Sequence, residues 1–221
     1  MTLVEAIVVI FVIAFLVLMI LPAIINPPHH HGAYVNCINN LKQLGLAYRI
    51  WEGDNGDKYP MERSVTNGGT MELLGGPDAW KTFQVMSNEL STPKILFCPQ
   101  DSGHAGCATN FGDDLKNKIS YFIGLDASEA NPNLLMSGDD HFLVNNAPVK
   151  PGLVEMTANT SIAWGTNRHV SVETHKWVFK KVTGVWGNIV LADGSVQSVS
   201  NPGLTNWLQK TGLATNRLAI P

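Results

Sequence analysis

The chain has 221 residues, a formal net charge of −3 and only 15% charged residues. This length accommodates about one globular domain in addition to a separate helix. Acidic and basic residues are spread along the chain without a basic stripe, so no nucleic acid is implied as a partner. The small charged fraction favours a subunit that buries much of its surface against copies of itself. A surface rich in Asn, Thr and Ser, or in glycans, would give the same composition.

The first predicted element is an apolar helix over residues 2–25, in which Glu5 is the only charged residue. About 20 apolar residues make a helix of roughly 30 Å, the thickness of the hydrocarbon core of a bilayer. A carboxylate in such a segment costs about 2.5–3.5 kcal/mol, so Glu5 is expected to have a specific partner. The rigid first turn keeps the chain's own α-amino group away from Glu5. The amine of a neighbouring copy is therefore the predicted partner.

Prolines divide the helical region. Pro22 lacks an amide hydrogen and its ring clashes with the preceding turn, which predicts a kink there. Pro27-Pro28 predicts the end of the first helix, because a residue before proline disfavours the helical conformation. A second, amphipathic helix is predicted to begin near residues 32–33 and to end at Gly53. The polar cluster over residues 54–57 predicts a turn after it.

The remaining chain, residues 53–221, is predicted to form one globular α+β head. The dipeptide Asp193-Gly194 is a strong hairpin signal between predicted strands over residues 187–191 and 196–199. The expected architecture is a long helix packed on an antiparallel sheet. The other predicted elements are a short helix over residues 78–88, strands over 95–98, 120–124, 134–139, 161–164 and 177–179, and a helix over 204–211.

Several segments carry a resemblance to a known family. Thr2-Leu3-Val4-Glu5, the apolar helix that follows and Pro22 within it resemble the mature N-terminus of type IV pilins and type II secretion pseudopilins. Residues 37–47, the triplet Phe97-Cys98-Pro99 and residues 187–196 resemble the branch of large pseudopilin-like proteins that ends in an Ala-Asp-Gly-Ser-Val hairpin. The insertion of Pro27-Pro28 departs from the family, whose relatives usually continue a charged helix at this place.

The resemblance implies a pilin-like fold and a pathway of assembly. In that family prepilin peptidase removes a leader, the new first residue is N-methylated, and the glutamate at the fifth position pairs with a neighbour's N-terminus. These roles fall on Met1 and Glu5, with Pro22 as a further assembly residue; Met1 as a plain initiator is the alternative. Residues 1–52 would be the stalk, with 1–25 in the membrane or the filament core and 33–52 as its amphipathic half.

The three cysteines predict one disulfide and one remaining thiol in an exported domain. Two pairings stay open. Cys37–Cys98 would tie the second helix to the head, and the resemblance implies this pair. Cys98–Cys107 would close a small loop and needs no long-range contact.

The sequence offers two candidate metal sites. Some major pseudopilins hold calcium beside their C-terminal strands, and the resemblance places such ligands at Asp193, or at Asp54 and Asp57, where carboxylates offer hard oxygen ligands. The alternative is that these residues only make turns. Asp139-Asp140-His141, with further histidines at 104, 169 and 175, suggests a metallohydrolase. The spacing matches no known motif, however, and adjacent carboxylates on a strand point to opposite faces, so no catalytic residue is predicted.

The sequence thus predicts a non-enzymatic, self-assembling subunit of a type IV pilus-like or pseudopilin-like filament. The resemblance implies an inner-membrane assembly platform and an assembly ATPase as further partners. It also implies residence in the inner membrane before assembly, and then in a surface filament or a periplasmic pseudopilus. The alternative function is an exported binding or enzymatic domain held by a single N-terminal transmembrane anchor.

Overall fold

The computed structural model describes residues 3–25, 29–157, 159–174 and 180–221. The chain divides into two compact units, Met1–Ala33 and Tyr34–Pro221. Its secondary structure combines helices with antiparallel sheets, which confirms the predicted α+β class.

The first unit contains the apolar helix α1, Leu3–Ile25, which confirms the predicted helix. Its large apolar side chains are exposed all around the helix. The exposed fraction is 78% for Leu3 at the start of this apolar segment and 55% for Ile20 near its end. Leu3–Ile20 is long and apolar enough to cross a membrane, and a helix at this place in a chain also fits a signal sequence. Glu5 lies exposed in the first turn and Pro22 lies near the C-terminal end of α1.

The second helix, α2, extends over His29–Asp54. It begins three or four residues earlier than predicted. The predicted break at Pro27-Pro28 lies outside the described residues. The predicted stalk ended at residue 52, whereas the second compact unit begins at Tyr34.

One face of α2 belongs to the core of the second unit. Residues at helical spacing on this face are buried, with at most 5% exposure. They are Cys37, Leu41, Leu44, Tyr48 and Trp51. This burial explains why the C-terminal part of α2 is divided from α1 and grouped with the rest of the chain.

Within the described residues, ten strands form two sheets, and every pairing between them is antiparallel. The strands are β1 Tyr121–Gly124, β2 Leu135–Asp139, β3 Phe142–Val144, β4 Ala147–Pro148, β5 Gly152–Thr157, β6 Ile162–Trp164, β7 Val170–Thr174, β8 Lys180–Leu191, β9 Val196–Ser200 and β10 Thr215–Ile220. The larger sheet has the order β5-β10-β1-β2-β8-β7, with β9 also paired to β8. The smaller sheet has the order β4-β3-β6.

The larger sheet separates two apolar cores. On β1, Tyr121 and Ile123 belong to the core beneath α2, whereas Phe122 belongs to the opposite core. This alternation follows from the two-residue period of a strand. The opposite core is covered by β6 and by a helix, α5, Asn201–Lys210, whose Leu204 and Leu208 are buried.

Some predicted elements differ in the structure. The predicted helix over residues 78–88 is two short helices, α3 Lys81–Val85 and α4 Ser87–Leu90. The predicted strand over 95–98 is wrong: Pro93–Leu96 is a 3-10 helix, because proline suits its first turn and the Thr92 hydroxyl accepts from the Lys94 amide. The predicted strand over 177–179 lies outside the described residues.

The second unit also contains the predicted hairpin and a disulfide. β8 and β9 pair from Trp186↔Ser200 to Val190↔Val196 across the predicted Asp193-Gly194 turn. A disulfide joins Cys37 of α2 to Cys98, with 4.8 Å between the Cα atoms. Of the two pairings left open by the sequence, the structure therefore contains the one that the resemblance implied. Cys107 is free and exposed.

Candidate functional site

A buried ionic network lies where β2 ends and β7 begins. Asp139 is the last residue of β2, and Asp140 and His141 follow it directly. Arg168 and His169 immediately precede β7. All five of these side chains are at least nine-tenths buried, which is unusual for titratable groups and requires compensation by partners.

Arg168 is the centre of this network and is only 3% exposed. Its Nη2 forms ion pairs with Asp101 Oδ2 and with Asp140 Oδ1, the latter at 2.7 Å. Its Nη1 donates to the backbone carbonyl of Ser120 at 2.9 Å. One guanidinium group therefore holds two carboxylates that are 39 residues apart in the chain.

Asp101 has the densest set of partners. The Ser120 hydroxyl donates to its Oδ2 at 2.6 Å, the Gly103 amide donates to its Oδ1 at 2.8 Å, and His104 Nδ1 lies 2.7 Å from its Oδ2. Burial by itself would raise the pKa of Asp101, but the hydrogen bond with His104 and the charge of Arg168 outweigh burial and lower that pKa below its usual range.

The pKa values of the other titratable groups in the network shift for different reasons. The hydrogen bond with Asp101 raises the pKa of His104. Burial raises the pKa of Asp140 despite the Arg168 charge, and burial lowers the pKa of His141 to about 4, so this imidazole is neutral at pH 7. The burial of Asp139 is outweighed by its hydrogen bond with His169, which lowers the pKa of Asp139.

Asp139 connects the network to α2 through a chain of hydrogen bonds. The Asn188 amide donates to Asp139 Oδ2 at 2.7 Å, and the Ser198 hydroxyl donates to Asn188 Oδ1 at 2.6 Å. Since that hydroxyl donates onward, the Tyr34 hydroxyl 2.7 Å away is the donor to Ser198. His169 Nε2 lies 3.1 Å from Asp139 Oδ2 and 3.9 Å from the disulfide sulfur of Cys98.

The network opens onto a cavity of about 700 Å³. His104, Asp140, His141 and Arg168 are among its lining residues. The His141 ring stacks on Trp164, with 5.1 Å between the ring centroids. A cavity with several convergent polar groups can bind a small ligand or an ion.

The sequence analysis named most of these histidines and aspartates. It predicted that Asp139 and Asp140 would point to opposite faces of a strand and so would not share one site. The two carboxylates do meet different partners, His169 and Arg168 respectively. Because these partners are also consecutive residues, both pairs belong to one network. The sequence analysis missed Asp101 and Arg168, since neither stands in a motif. Their only signal in the sequence is that Asp101 is close to Cys98 and His104, and that Arg168 precedes His169.

The predicted calcium ligands lie apart from this cavity. Asp193 is exposed in the hairpin turn and accepts a hydrogen bond from the Ser195 amide at 2.8 Å. Asp57 groups with Glu52 and Glu129, whose ligand atoms lie within 4.8 Å of one another. Among the described residues, neither Asp193 nor the exposed Asp54 joins a group of this kind.

The residues predicted to act in assembly belong to the first unit. Glu5 is exposed at the start of α1, Pro22 lies near its end, and Met1 lies outside the described residues.

Comparison of the chain with protein-family models, with curated proteins and with solved structures finds no match.

Proposed function

We propose that this protein is a structural subunit of a type IV pilus-like or pseudopilin-like filament, anchored in the inner membrane by α1 before it assembles. The observation that carries this proposal is the combination in α1 of 23 residues, apolar side chains exposed on every side, and a single carboxylate in the first turn. An apolar surface of this extent requires lipid or other helices around it.

The length of α1 suits both environments. At 1.5 Å per residue, 23 residues give about 35 Å, enough to cross a bilayer with some tilt. In a filament, copies of α1 would pack against one another, and an interface that does not close on itself produces an open helical polymer. Within this arrangement the carboxylate of Glu5 pairs with the N-terminal amine of a neighbouring copy.

The outer face of α2 supports the same proposal. Val35, Leu46 and Ile50 lie on one stripe of this helix and are 49%, 59% and 46% exposed. The opposite face is buried in the second unit. A helix that is apolar on both faces suits a subunit whose neighbours cover the outer one.

The test is a set of variants at residue 5. Glu5→Ala and Glu5→Gln remove the charge, and we expect both to abolish filaments while a folded monomer stays in the membrane fraction. Breaking a buried charge pair by removing one partner costs about 3–5 kcal/mol per contact. Filament yield is measured by negative-stain microscopy of sheared material, with Asp113→Ala, which removes an exposed carboxylate of the second unit, as the matched control. Normal filaments from Glu5→Ala would refute the proposal.

Processing gives a second measurement. If the chain is matured as a pilin, the intact mass of the purified protein includes one added methyl group on the first residue. A formylated initiator or additional upstream residues would favour a plain membrane anchor.

The second candidate function is an exported binding or enzymatic domain on a transmembrane anchor. The cavity beside Arg168 favours it, since a structural subunit does not require convergent titratable groups at a cavity. This candidate predicts that Glu5→Ala leaves the protein fully functional, whereas substitutions at the cavity abolish its function without changing its location.

A further inference from the structure

We propose that the reduced form of this protein binds one zinc ion through Cys37, Cys98 and His169, and that formation of the disulfide excludes the metal. The two cysteine sulfurs and a ring nitrogen of His169 lie within 4.8 Å of one another, and all three residues are buried. They belong to the second unit, so this site does not depend on the filament proposal.

The three residues are of the types that zinc prefers as ligands. Two thiolates and an imidazole, with a fourth ligand, form the tetrahedral sites that are typical of structural zinc. Cys98 Sγ lies 3.9 Å from His169 Nε2. A sulfur and a nitrogen that bind one zinc ion at ~2.3 Å and ~2.0–2.1 Å are about 3.6 Å apart, so the observed distance requires a shift of only about 0.3 Å.

A residue outside this group of three orients the His169 ring. His169 Nδ1 lies 2.5 Å from Gln100 Oε1, and because an amide oxygen only accepts hydrogen bonds, Nδ1 is the donor. Nε2 is therefore the nitrogen that faces the sulfur. In protein metal sites the second ring nitrogen of a histidine ligand donates to an oxygen in the same way, which fixes the tautomer and the ring orientation.

Asp139 supplies the fourth ligand. Its Oδ2 lies 3.1 Å from His169 Nε2, close to the ~3.4 Å that separates an oxygen and a nitrogen on one tetrahedral zinc ion. In the disulfide form a hydrogen bond joins these two side chains, and in the reduced form zinc takes the place of its proton. The backbone and side-chain amides of Asn188 donate to the same Oδ2 at 2.7 and 3.0 Å, which holds the carboxylate in place.

The disulfide and the metal exclude each other because they use the same two sulfurs. A thiol reductant gives the disulfide two electrons and two protons, which yields two cysteine thiols and leaves the reductant oxidised. Zinc then binds both sulfurs as thiolates and releases the two thiol protons. The cysteine Cα atoms are 4.8 Å apart, and rotation about each Cα–Cβ bond separates the freed sulfurs to the ~3.8 Å that two thiolates span on one zinc ion.

Cobalt chloride and zinc chloride are the probes, with the full-length chain in detergent micelles. All samples carry Cys107→Ser, so that the only thiols are those that reduction of the disulfide releases. Each preparation is studied oxidised and after reduction by a phosphine, which is removed under argon before the metal is added. We expect the reduced protein to bind one Co²⁺ with a sulfur-to-cobalt charge-transfer band in the near ultraviolet, which zinc displaces, and the oxidised protein to lack this band.

Three variants test the ligands and their orientation. His169→Gln removes the nitrogen donor, and Gln100→Ala removes the group that orients the ring; we expect each to weaken zinc binding by the reduced protein at least ~10-fold. His141→Gln is the matched control and should leave the affinity unchanged. That histidine is also buried, with its ring centroid 5.6 Å from that of His169, but it lies outside the group of three. Near-ultraviolet circular dichroism of the oxidised variants confirms that the fold is retained.

Zinc should also raise the thermal midpoint of the reduced protein much more than that of the oxidised protein, because only the reduced form gains this ligand. Three results would overturn the proposal. They are a reduced protein without the sulfur-to-cobalt band, a reduced protein that stays unfolded in the presence of zinc, and a reduced His169→Gln variant that binds zinc as tightly as the parent.

Discussion

Gly45 of α2 lies directly against Gly194 of the β8–β9 hairpin turn. A Cβ atom at position 45 would be 3.0 Å from the Gly194 carbonyl oxygen and 3.0 Å from the Val190 Cγ1. The helix and the hairpin turn therefore meet through two glycines, beside the Val190 side chain of β8. Nearby, the Tyr59 hydroxyl donates to the Ala192 carbonyl at 2.6 Å, which holds the same turn.

We expect Gly45→Val to lower the free energy of unfolding by about 1–3 kcal/mol, because the added carbons push α2 away from the hairpin. Gly53→Ala, also on α2, is the control: no atom lies within 4 Å of its added Cβ, so helix propensity should make it neutral or stabilising by up to ~1 kcal/mol. Urea unfolding of the full-length protein in micelles measures both. A stabilising Gly45→Val would contradict the observed contact.

The disulfide should contribute strongly to stability. Cys37 and Cys98 are separated by 61 residues, and closing a loop of this length in the unfolded chain contributes about 4 kcal/mol in the chain-entropy model. We expect the double variant Cys37→Ser/Cys98→Ser to unfold at clearly lower urea concentration, and Cys107→Ser to leave the midpoint unchanged. Peptide mapping without reductant checks the pairing, and a Cys98–Cys107 peptide would contradict it.

Arg168 should be far more important for stability than an exposed arginine. Arg168→Met leaves Asp101 and Asp140 buried without their cation, and we expect a loss of about 3–5 kcal/mol. The matched control is Arg217→Met, whose ion pair with Asp126 is half exposed and should contribute at most ~1 kcal/mol. Equal losses for the two variants, measured by urea unfolding, would show that the network is not buried as described.

Two buried tyrosines predict instability at alkaline pH. Burial raises the pKa values of Tyr48 and Tyr121, whereas tyrosines of the unfolded chain ionise near pH 10. The stability linked to these groups is therefore fully present below about pH 10 and is lost as the pH rises above it. We expect unfolding at high pH to coincide with a rise in tyrosinate absorbance.

Tyr48→Phe tests the cause. Among the residues that the structure describes, the Tyr48 hydroxyl has no hydrogen-bond partner, so its removal should leave stability at pH 7 unchanged within about 1 kcal/mol. It should move the midpoint of alkaline unfolding to higher pH. With Tyr48 replaced, one fewer tyrosine ionises on unfolding, so alkaline pH favours the unfolded state less. A midpoint that stays at its original pH would assign the transition to other groups.

The sequence by itself determined the local elements whose signals are contiguous in the chain. The apolar run gave α1, the Asp193-Gly194 dipeptide gave the β8–β9 hairpin, and Pro202 with Gly212 bounded α5. Each depends on interactions within a few residues, such as hydrophobic periodicity, turn conformation and the missing amide of proline.

Only the tertiary structure decided which distant residues form the cavity. β10 and β5 pair although the short strands carry weak signals, and Arg168 joins Asp101 from 67 positions away. An isolated arginine or aspartate looks the same in a sequence whether it faces water or a buried partner. What distinguishes the two is desolvation, which depends on the packing of segments that the sequence does not place side by side.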